Sequence, residues 1–278
     1  MIPKTIHYVW VGGNSLTPLA DKCMESWKKY CPDYEFKKWD ESNFDITINQ
    51  YCKEAYNAGK YAFVSDYIRL FVLVNFGGVY MDTDVELIKQ IDNFLVHQAF
   101  SGFESENAVP TGIMACEKGF TLFNEMLAEY NDRKYIMANG EQNVTSNVVY
   151  ITKLLIEKGL QLNNCFQIID GFALYPNDVF CPKDFSTHLI RITENSHSIH
   201  HFAGSWLPEE EYHYVSLTRR IYNFYGENIF SKTLVRLLFI MKIIKKQGFM
   251  EAVKFCQSKT KKKKIKKYAR NFSYYTSL

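Results

Sequence analysis

The chain has 278 residues, of which 47% are hydrophobic and 23% are charged, a composition that excludes a disordered, collagen-like or coiled-coil protein. Its formal net charge of +3 conceals an asymmetry, because residues 252–278 hold nine of the 33 Lys and Arg residues and no acid. The preceding residues therefore carry 24 bases against 30 acids, which argues against a body that binds nucleic acid.

Strand and helix patterns alternate along the first part of the chain, and helical patterns dominate its end. β-branched and aromatic runs bounded by Gly or Asp indicate strands, whereas apolar residues at helical spacing indicate helices. The initial strand–helix–strand order predicts a parallel α/β unit. In chain order, the predicted elements are strand 5–11, helix 18–29, strand 34–39, helix 62–75, strand 79–86, helices 120–130 and 148–158, strand 198–202, and helices 231–246 and 249–259.

The stretch from Ser65 to Asp84 carries the clearest chemistry. It reads Ser-Asp-x2-Arg-x7-Gly-Gly-x-Tyr-x-Asp-x-Asp. Strand residues two apart point to the same side, so we expect Asp82 and Asp84 to present two carboxylates together. Such a pair suits Mg²⁺ or Mn²⁺ bound to a substrate diphosphate, and without a cation the two charges repel.

Two further residues of this stretch, Asp66 and Arg69, are three apart and share one face of the predicted helix. Arg69 is a candidate to stabilise phosphate or to orient Asp66, which in turn is a candidate acceptor for sugar hydroxyls. Each feature alone also has a structural interpretation, since Asp-x-Asp pairs are common in turns and i,i+3 ion pairs are common on helices. A calcium loop is disfavoured because Leu87 and Asn93 occupy the positions that need Gly and Glu.

Three blocks of the sequence resemble one known family. They are Ile-Pro-Lys-Thr-Ile-His-Tyr-Val-Trp at 2–10, the block at 65–84, and His-His-Phe-Ala-Gly-Ser-Trp at 200–206. Together they resemble the retaining glycosyltransferases with a DxD sugar-binding region (glycosyltransferase family 32), which include capsular-polysaccharide transferases and are related to the glucosyltransferase domains of large clostridial toxins. The resemblance implies a GT-A type fold, a Rossmann-like mixed α/β sheet flanked by helices over 1–215, followed by a helical region with a basic tail over 216–278.

The resemblance also implies roles for individual residues. Asp84 corresponds to the direct ligand of Mn²⁺ or Mg²⁺, and Asp82 reaches the ribose or the metal through water. His201 matches a late histidine that contacts metal or diphosphate, with His200 as the alternative because neighbours on a strand face opposite ways. Trp10 is expected to stack on the base, with an ordinary core tryptophan as the alternative. The implied nucleotide-sugar site comprises Val9, Trp10, Asp66, Arg69, Tyr80, Asp82, Ser205 and Trp206.

The activity implied is metal-dependent, retaining transfer of a sugar from a nucleotide sugar to a hydroxyl of a glycan or lipid-linked oligosaccharide in bacterial surface polysaccharide synthesis. The Val-Trp-Val-Gly-Gly segment at 9–13 resembles the toxin type, which implies a UDP-sugar. Two alternatives stay open. Mg²⁺-dependent phosphatases and nucleotidyltransferases also use paired aspartates, and the aromatic residues and basic tail also suit a non-catalytic carbohydrate- or membrane-binding protein.

The cysteines and termini suggest a location. Seven cysteines without a Cys-x-x-Cys pair and an N-terminus without a long apolar region predict a cytoplasmic protein with reduced thiols. The lysine-rich segment Lys259–Arg270 predicts peripheral contact with an anionic membrane surface, with a solvated tail as the alternative. No stretch approaches the roughly 20 apolar residues of a membrane span.

Overall fold

The computed structural model describes residues 1–105, 108–109, 112–185, 187–204 and 209–251, and for 209–211 only the backbone. The chain forms two compact units. The first unit comprises Met1–Lys183 with Arg191–Trp206, and the second comprises Asp184–Ile190 with Leu207–Leu278. The predicted division after residue 215 stays a prediction.

A seven-stranded mixed sheet forms the centre of the first unit, in the strand order β2-β1-β3-β6-β5-β8-β7. β1 pairs in parallel with β2 and β3, whereas β6 runs antiparallel to both β3 and β5. The predicted mixed α/β sheet flanked by helices is confirmed. The strands are β1 (Thr5–Val9), β2 (Glu35–Trp39), β3 (Gly78–Met81), β5 (Ala99–Gly102), β6 (Ile113–Cys116), β7 (Gln167–Ile169) and β8 (Phe172–Tyr175).

Helices flank this sheet. The most buried of them, α3, packs against β1, β3 and α4, which explains why its sequence is apolar on most faces. It ends at Gly77, whose φ of +69° favours glycine. The helices of the first unit are α1 (Pro18–Tyr30), α2 (Gln50–Asn57), α3 (Tyr61–Phe76), α4 (Thr121–Ala128), α5 (Asn147–Glu157) and α6 (Asn177–Phe180).

The strand directions place several loop segments at one edge of the sheet. β1 and β3 are parallel, and β5 runs in the same direction as β3 because each is antiparallel to β6. The carboxyl ends of these three strands therefore lie at one edge, followed in the chain by Trp10, Asp82 and Phe103. Ligands of open α/β sheets bind at this edge.

The predicted strand 79–86 is wrong in one respect, because it is two strands. β3 ends at Met81, and β4 (Val85–Leu87) begins after a turn in which the Val85 N–H donates to the Asp82 carbonyl at 2.9 Å. β4 leaves the large sheet and pairs antiparallel with β9 (Ser198–His200). The turn arises because the two strands belong to different sheets.

Helix α1 holds β4 in place. The Trp27 indole N–H, fully buried, donates to the Val85 carbonyl at 2.7 Å, and the Leu87 N–H donates to the Ser26 hydroxyl at 2.8 Å. The segment after the two aspartates is therefore fixed by side chains of α1, whereas the segment before them belongs to the large sheet.

His7 of β1 is a core histidine that joins two neighbouring segments. Its Nδ1 accepts from the Trp39 indole N–H at 3.1 Å, and its Nε2 donates to the Gly77 carbonyl at 2.9 Å. Both contacts require the neutral ring with the proton on Nε2. Burial lowers the pKa of His7 to about 4.

We expect the His7 pKa to make the protein less stable in mild acid. The folded-state pKa of His7 lies below the unfolded value of 6.5. The contribution of neutral His7 to the free energy of unfolding is therefore complete above pH 6.5. About 3 kcal/mol of it is lost as the pH falls towards 4. Urea unfolding across this range should show a shallower pH dependence for His7→Gln than for the wild type. Equal slopes would contradict this account of His7.

The described part of the second unit consists mainly of α7 (Glu209–Tyr225) and α8 (Ile229–Gln247). Asn228 begins α8 with a capping box to Ser231, and Gly248 ends it. The predicted helix 231–246 is confirmed within α8, while most of the predicted helix 249–259 lies outside the described residues. No helix in the described ranges has both the length and the apolar character needed to cross a bilayer.

Candidate active site

Asp82, Asp84 and His200 converge at the carboxyl edge of the large sheet. One ligand atom from each residue lies within 4.8 Å of the other two. The His200 Nε2 is 3.3 Å from the Asp84 Oδ1. All three side chains are half-buried. This group is called the Asp-Asp-His cluster below.

Pairing between β4 and β9 brings His200 to the aspartates. His200 lies opposite Val85 in the antiparallel register, next to Asp84. The Asp84 carbonyl accepts from the His201 N–H at 2.9 Å, and its Oδ2 accepts from the Ala203 N–H at 2.8 Å. The segment after β9 therefore fixes both the backbone of Asp84, through the His201 N–H, and its carboxylate, through the Ala203 N–H.

The charges within the cluster stabilise one another. Burial alone would raise the pKa of Asp84, but the imidazole of His200 and the Ala203 N–H lower it to about 2. Burial favours the neutral form of His200, yet the Asp84 carboxylate raises its pKa well above the usual range. The cluster therefore holds an ionised carboxylate at the point where the sequence predicts a metal ligand.

Arg69 lies beside Asp82 and is almost fully buried. Its Nη2 is 3.1 Å from the Asp82 Oδ1 and 3.2 Å from the Asp66 Oδ1, and its Nη1 is 3.3 Å from the Asp82 Oδ2. The Tyr80 hydroxyl also donates to the Asp82 Oδ1 at 2.9 Å, while the guanidinium lies 4.7 Å from the Tyr80 ring centre. These contacts give Asp82 a fixed orientation.

Asp66 faces the protein interior. Its Oδ1 pairs with Arg69, and its Oδ2 accepts from the backbone N–H of Asn147 at 3.2 Å. Asn147, the first residue of α5, also donates from Nδ2 to the Asp66 carbonyl at 2.6 Å and accepts from the Tyr130 hydroxyl at 2.5 Å. Asn147 is a positioning residue that the sequence does not reveal, since 81 positions separate it from Asp66.

The structure groups His200, and not His201, with the aspartates. The Nε2 of His201 lies 2.7 Å from Glu86 Oε2, which also pairs with Lys22 at 2.8 Å. Burial lowers the pKa of His201 more than Glu86 raises it. The choice between two adjacent strand residues depends on the β4–β9 register, which the sequence does not show.

Val9 is the last residue of β1, and Trp10 follows it at the same edge of the sheet. Val9 is buried, whereas Trp10 is half-buried and its indole N–H donates to the Asn14 carbonyl at 2.7 Å. Gly12 approaches Tyr61 so closely that a Cβ there would lie 2.2 Å from the ring. The loop after β1 is therefore held tightly beside the site, and the Trp10 indole is half-buried there.

Glu104 is a further acid near the cluster that the sequence analysis overlooks. It follows β5, its backbone N–H donates to the Ala108 carbonyl at 2.8 Å, and its carboxyl group interacts electrostatically with His200 and Asp82. Burial raises its pKa. No local motif marks Glu104, because only the order of β3, β6 and β5 brings it to this edge.

The last two predicted site residues, Ser205 and Trp206, lie outside the described residues. The same is true of the basic segment Lys259–Arg270. Their predicted roles stay predictions.

The donor atoms of the cluster fit a divalent ion. Two carboxylate oxygens and the nitrogen of neutral His200, which would release its proton on binding, suit Mn²⁺, and the carboxylates also suit Mg²⁺. A divalent ion held by these three residues would supply positive charge for a substrate diphosphate. Asp82, Asp84 and His200 are thus the residues that would hold such an ion.

Gly112 provides a test of the His200 position. A Cβ added at Gly112 would lie 2.9 Å from Nδ1 of His200 and 3.0 Å from its Cε1, so Gly112→Ala has to displace the ring. We expect Gly112→Ala to weaken Mn²⁺ binding about 10- to 100-fold with little change in the urea midpoint, measured by calorimetric titration with Mn²⁺. An unchanged Mn²⁺ response would show that the position of His200 does not matter.

Comparisons with known proteins point to the same segment. Residues 18–101 match the family described as "Glycosyltransferase sugar-binding region containing DXD motif". We call this segment the DXD region. It contains α1, the Asp66–Arg69 pair and both aspartates of the cluster. The match supports a glycosyltransferase.

One relative and two structures show further similarity. The chain is 29% identical over 133 residues to inositol phosphoceramide mannosyltransferase 3 of Schizosaccharomyces pombe, covering 42% of this chain and 34% of that protein; it therefore spans about a third of the relative. The PaToxG glycosyltransferase is 18% identical with a TM-score of 0.44, over 57% of this chain and 70% of the other. A glycosyltransferase involved in glycosylation of the major capsid of PBCV-1 is 12% identical with a TM-score of 0.39, over 71% and 94%.

Proposed function

We propose that this protein is a metal-dependent, retaining glycosyltransferase that transfers a sugar from a nucleotide sugar to a hydroxyl group. The observation that carries the proposal is the Asp-Asp-His cluster, which combines the two aspartates of the DXD region with a histidine from a distant strand. A non-catalytic carbohydrate-binding protein has no need of such a cluster. A phosphatase or nucleotidyltransferase does not account for the match to a sugar-binding region.

The donor we propose is a UDP-sugar, bound across the carboxyl edge of the sheet. Trp10 follows β1 at this edge, where its indole face is suited to stack on the base. The diphosphate lies at Asp82, Asp84 and His200, where a bound Mn²⁺ or Mg²⁺ supplies Lewis-acid stabilisation of the leaving group. The acceptor we propose is a glycan or lipid-linked oligosaccharide of a bacterial surface polysaccharide, and the proposed location is the cytoplasm.

The side chains around the cluster orient it. Arg69 and Tyr80 hold the Asp82 carboxylate, while Asn147 and Arg69 hold Asp66. Because Arg69 is almost fully buried and pairs with both Asp66 and Asp82, we propose that it acts by positioning Asp82 and by balancing its charge. Side chains that are already oriented need little rearrangement when negative charge develops on the leaving diphosphate.

The reaction we propose keeps the anomeric configuration without a covalent intermediate. The bond between the anomeric carbon and the diphosphate oxygen breaks while the acceptor oxygen bonds to the same face of the sugar. The acceptor proton passes to the departing phosphate oxygen. Nuclear magnetic resonance of the product formed from an α-linked donor tests this step, since inversion would contradict it.

Screening UDP- and GDP-sugars for slow donor hydrolysis tests the activity itself. We expect free sugar and UDP to form with one or a few donors in Mn²⁺ or Mg²⁺, and not with chelator. Release of sugar phosphate and UMP, or of inorganic phosphate from phosphate esters, would instead identify the phosphatase or nucleotidyltransferase alternative. Glu86→Gln is the control for substitutions in the Asp-Asp-His cluster, because Glu86 is an acid of β4 that lies outside the cluster.

A further inference from the structure

Helix α8 carries an apolar stripe on its exposed side. Phe230, Leu237, Met241 and Ile244 are all exposed, with Leu237 at 51% and Met241 at 64%. Their spacings of seven, four and three residues place them on one side of the helix. Exposed aliphatic and aromatic side chains in a row are uncommon on a soluble surface and mark an interaction site.

The opposite side of α8 is the one that packs against α7. Ile243 is buried there, and the ring of Phe239 lies 6.2 Å from that of Tyr214 in α7. The helix therefore has two apolar faces. The packing of α8 on α7 uses one of them and does not use the stripe.

The residues from Ile229 onwards are strongly basic, which indicates the kind of partner that the stripe contacts. From Ile229 to the end of the chain there are 14 Lys and Arg residues and one acid, Glu251, whereas the preceding residues carry 19 bases against 29 acids. Lys245 lies beside the stripe, one residue from Ile244, and Lys246 follows it. Phe249 and Met250, just beyond α8, are also exposed. An apolar stripe with adjacent cations is typical of helices that lie in a membrane interface.

We propose that α8 binds the surface of an anionic lipid bilayer. The stripe enters the boundary between headgroups and acyl chains, and Lys245 beside it contacts lipid phosphates. The acidic remainder of the chain is repelled by the same surface, which orients the protein with this segment towards the lipid. This proposal does not depend on the proposed sugar transfer.

Charge and chemistry favour a bilayer over two other occupants. A second copy seated on the stripe would bring two strongly cationic segments together, which is unfavourable. A nucleic acid would match the lysines but has no use for a row of leucine, methionine and isoleucine side chains. A bilayer satisfies both features at once.

Co-sedimentation of the full chain with lipid vesicles tests the proposal. We expect binding to phosphatidylcholine vesicles that contain phosphatidylglycerol, and much weaker binding to pure phosphatidylcholine. The double substitution Leu237→Gln and Met241→Gln should weaken vesicle binding at least about tenfold. Because both side chains are exposed, the variant should keep the wild-type circular dichroism spectrum and urea midpoint.

A control variant and competing outcomes complete the test. Val96→Gln with Ile168→Gln removes two exposed apolar side chains of the first unit and should leave vesicle binding unchanged. The proposal is overturned if the α8 variant binds vesicles like the wild type, or if the wild type prefers neither vesicle. It is also overturned if the α8 substitutions abolish a lipid-free dimer without changing vesicle binding, or if the chain binds a random oligonucleotide in preference to anionic vesicles.

Discussion

Replacing Asp84 with asparagine is expected to lower the rate of the proposed sugar transfer about 100- to 1,000-fold. Asparagine keeps the shape and an acceptor for the Ala203 N–H, but it removes the charge that a divalent ion requires. The fold should survive, because the raised pKa of His200 depends on the Asp84 carboxylate and the imidazole can lose its proton once that charge is gone.

Initial rates at saturating donor, measured over a Mn²⁺ titration, give the comparison. Glu86→Gln serves as the control, since Glu86 pairs with Lys22 and His201 outside the cluster. An Asp84→Asn enzyme with the wild-type rate and Mn²⁺ response would contradict the proposed role of Asp84.

Replacing Arg69 with leucine is expected to destabilise the protein by about 3–5 kcal/mol, because it leaves buried carboxylates without their cation. Arg69 pairs with both Asp66 and Asp82, and Asp66 is buried with a pKa that burial raises to about 6. Urea unfolding at neutral pH measures the loss. Activity should fall as well, since Asp82 loses its orientation.

A second substitution distinguishes charge from packing. Adding Asp66→Asn to the Arg69→Leu variant removes one uncompensated carboxylate while keeping its shape. We expect the double variant to recover part of the lost stability. Two results would show that the buried carboxylates do not need Arg69 as a counter-charge. One is a loss of less than about 1 kcal/mol in the free energy of unfolding for Arg69→Leu alone. The other is a further loss of stability when Asp66→Asn is added.

Local pattern was sufficient to predict the elements with strong periodicity. The alternation of strand and helix at the start identifies β1, α1 and β2, and the apolar run before Gly77 identifies α3. Elements with weak local signals were not identified. α2 is largely polar, and β5 is a four-residue strand, Ala-Phe-Ser-Gly, whose burial on both faces leaves no alternation.

The candidate site likewise contains residues that local sequence patterns predict and residues that they do not. The two aspartates are close in sequence, so their partnership was predicted, although the turn between β3 and β4 was not. His200, Asn147 and Glu104 reach the site through strand register and sheet order, which join residues far apart in the chain. No local pattern encodes those contacts.

Calorimetric titration of UDP into the protein, with and without Mn²⁺, tests the central claim most directly. We predict that UDP binds tightly only with Mn²⁺, and that Asp84→Asn weakens this binding at least about tenfold whereas Glu86→Gln does not. UDP binding of equal strength without any divalent ion, or unchanged binding in Asp84→Asn, would show that the cluster does not hold the diphosphate.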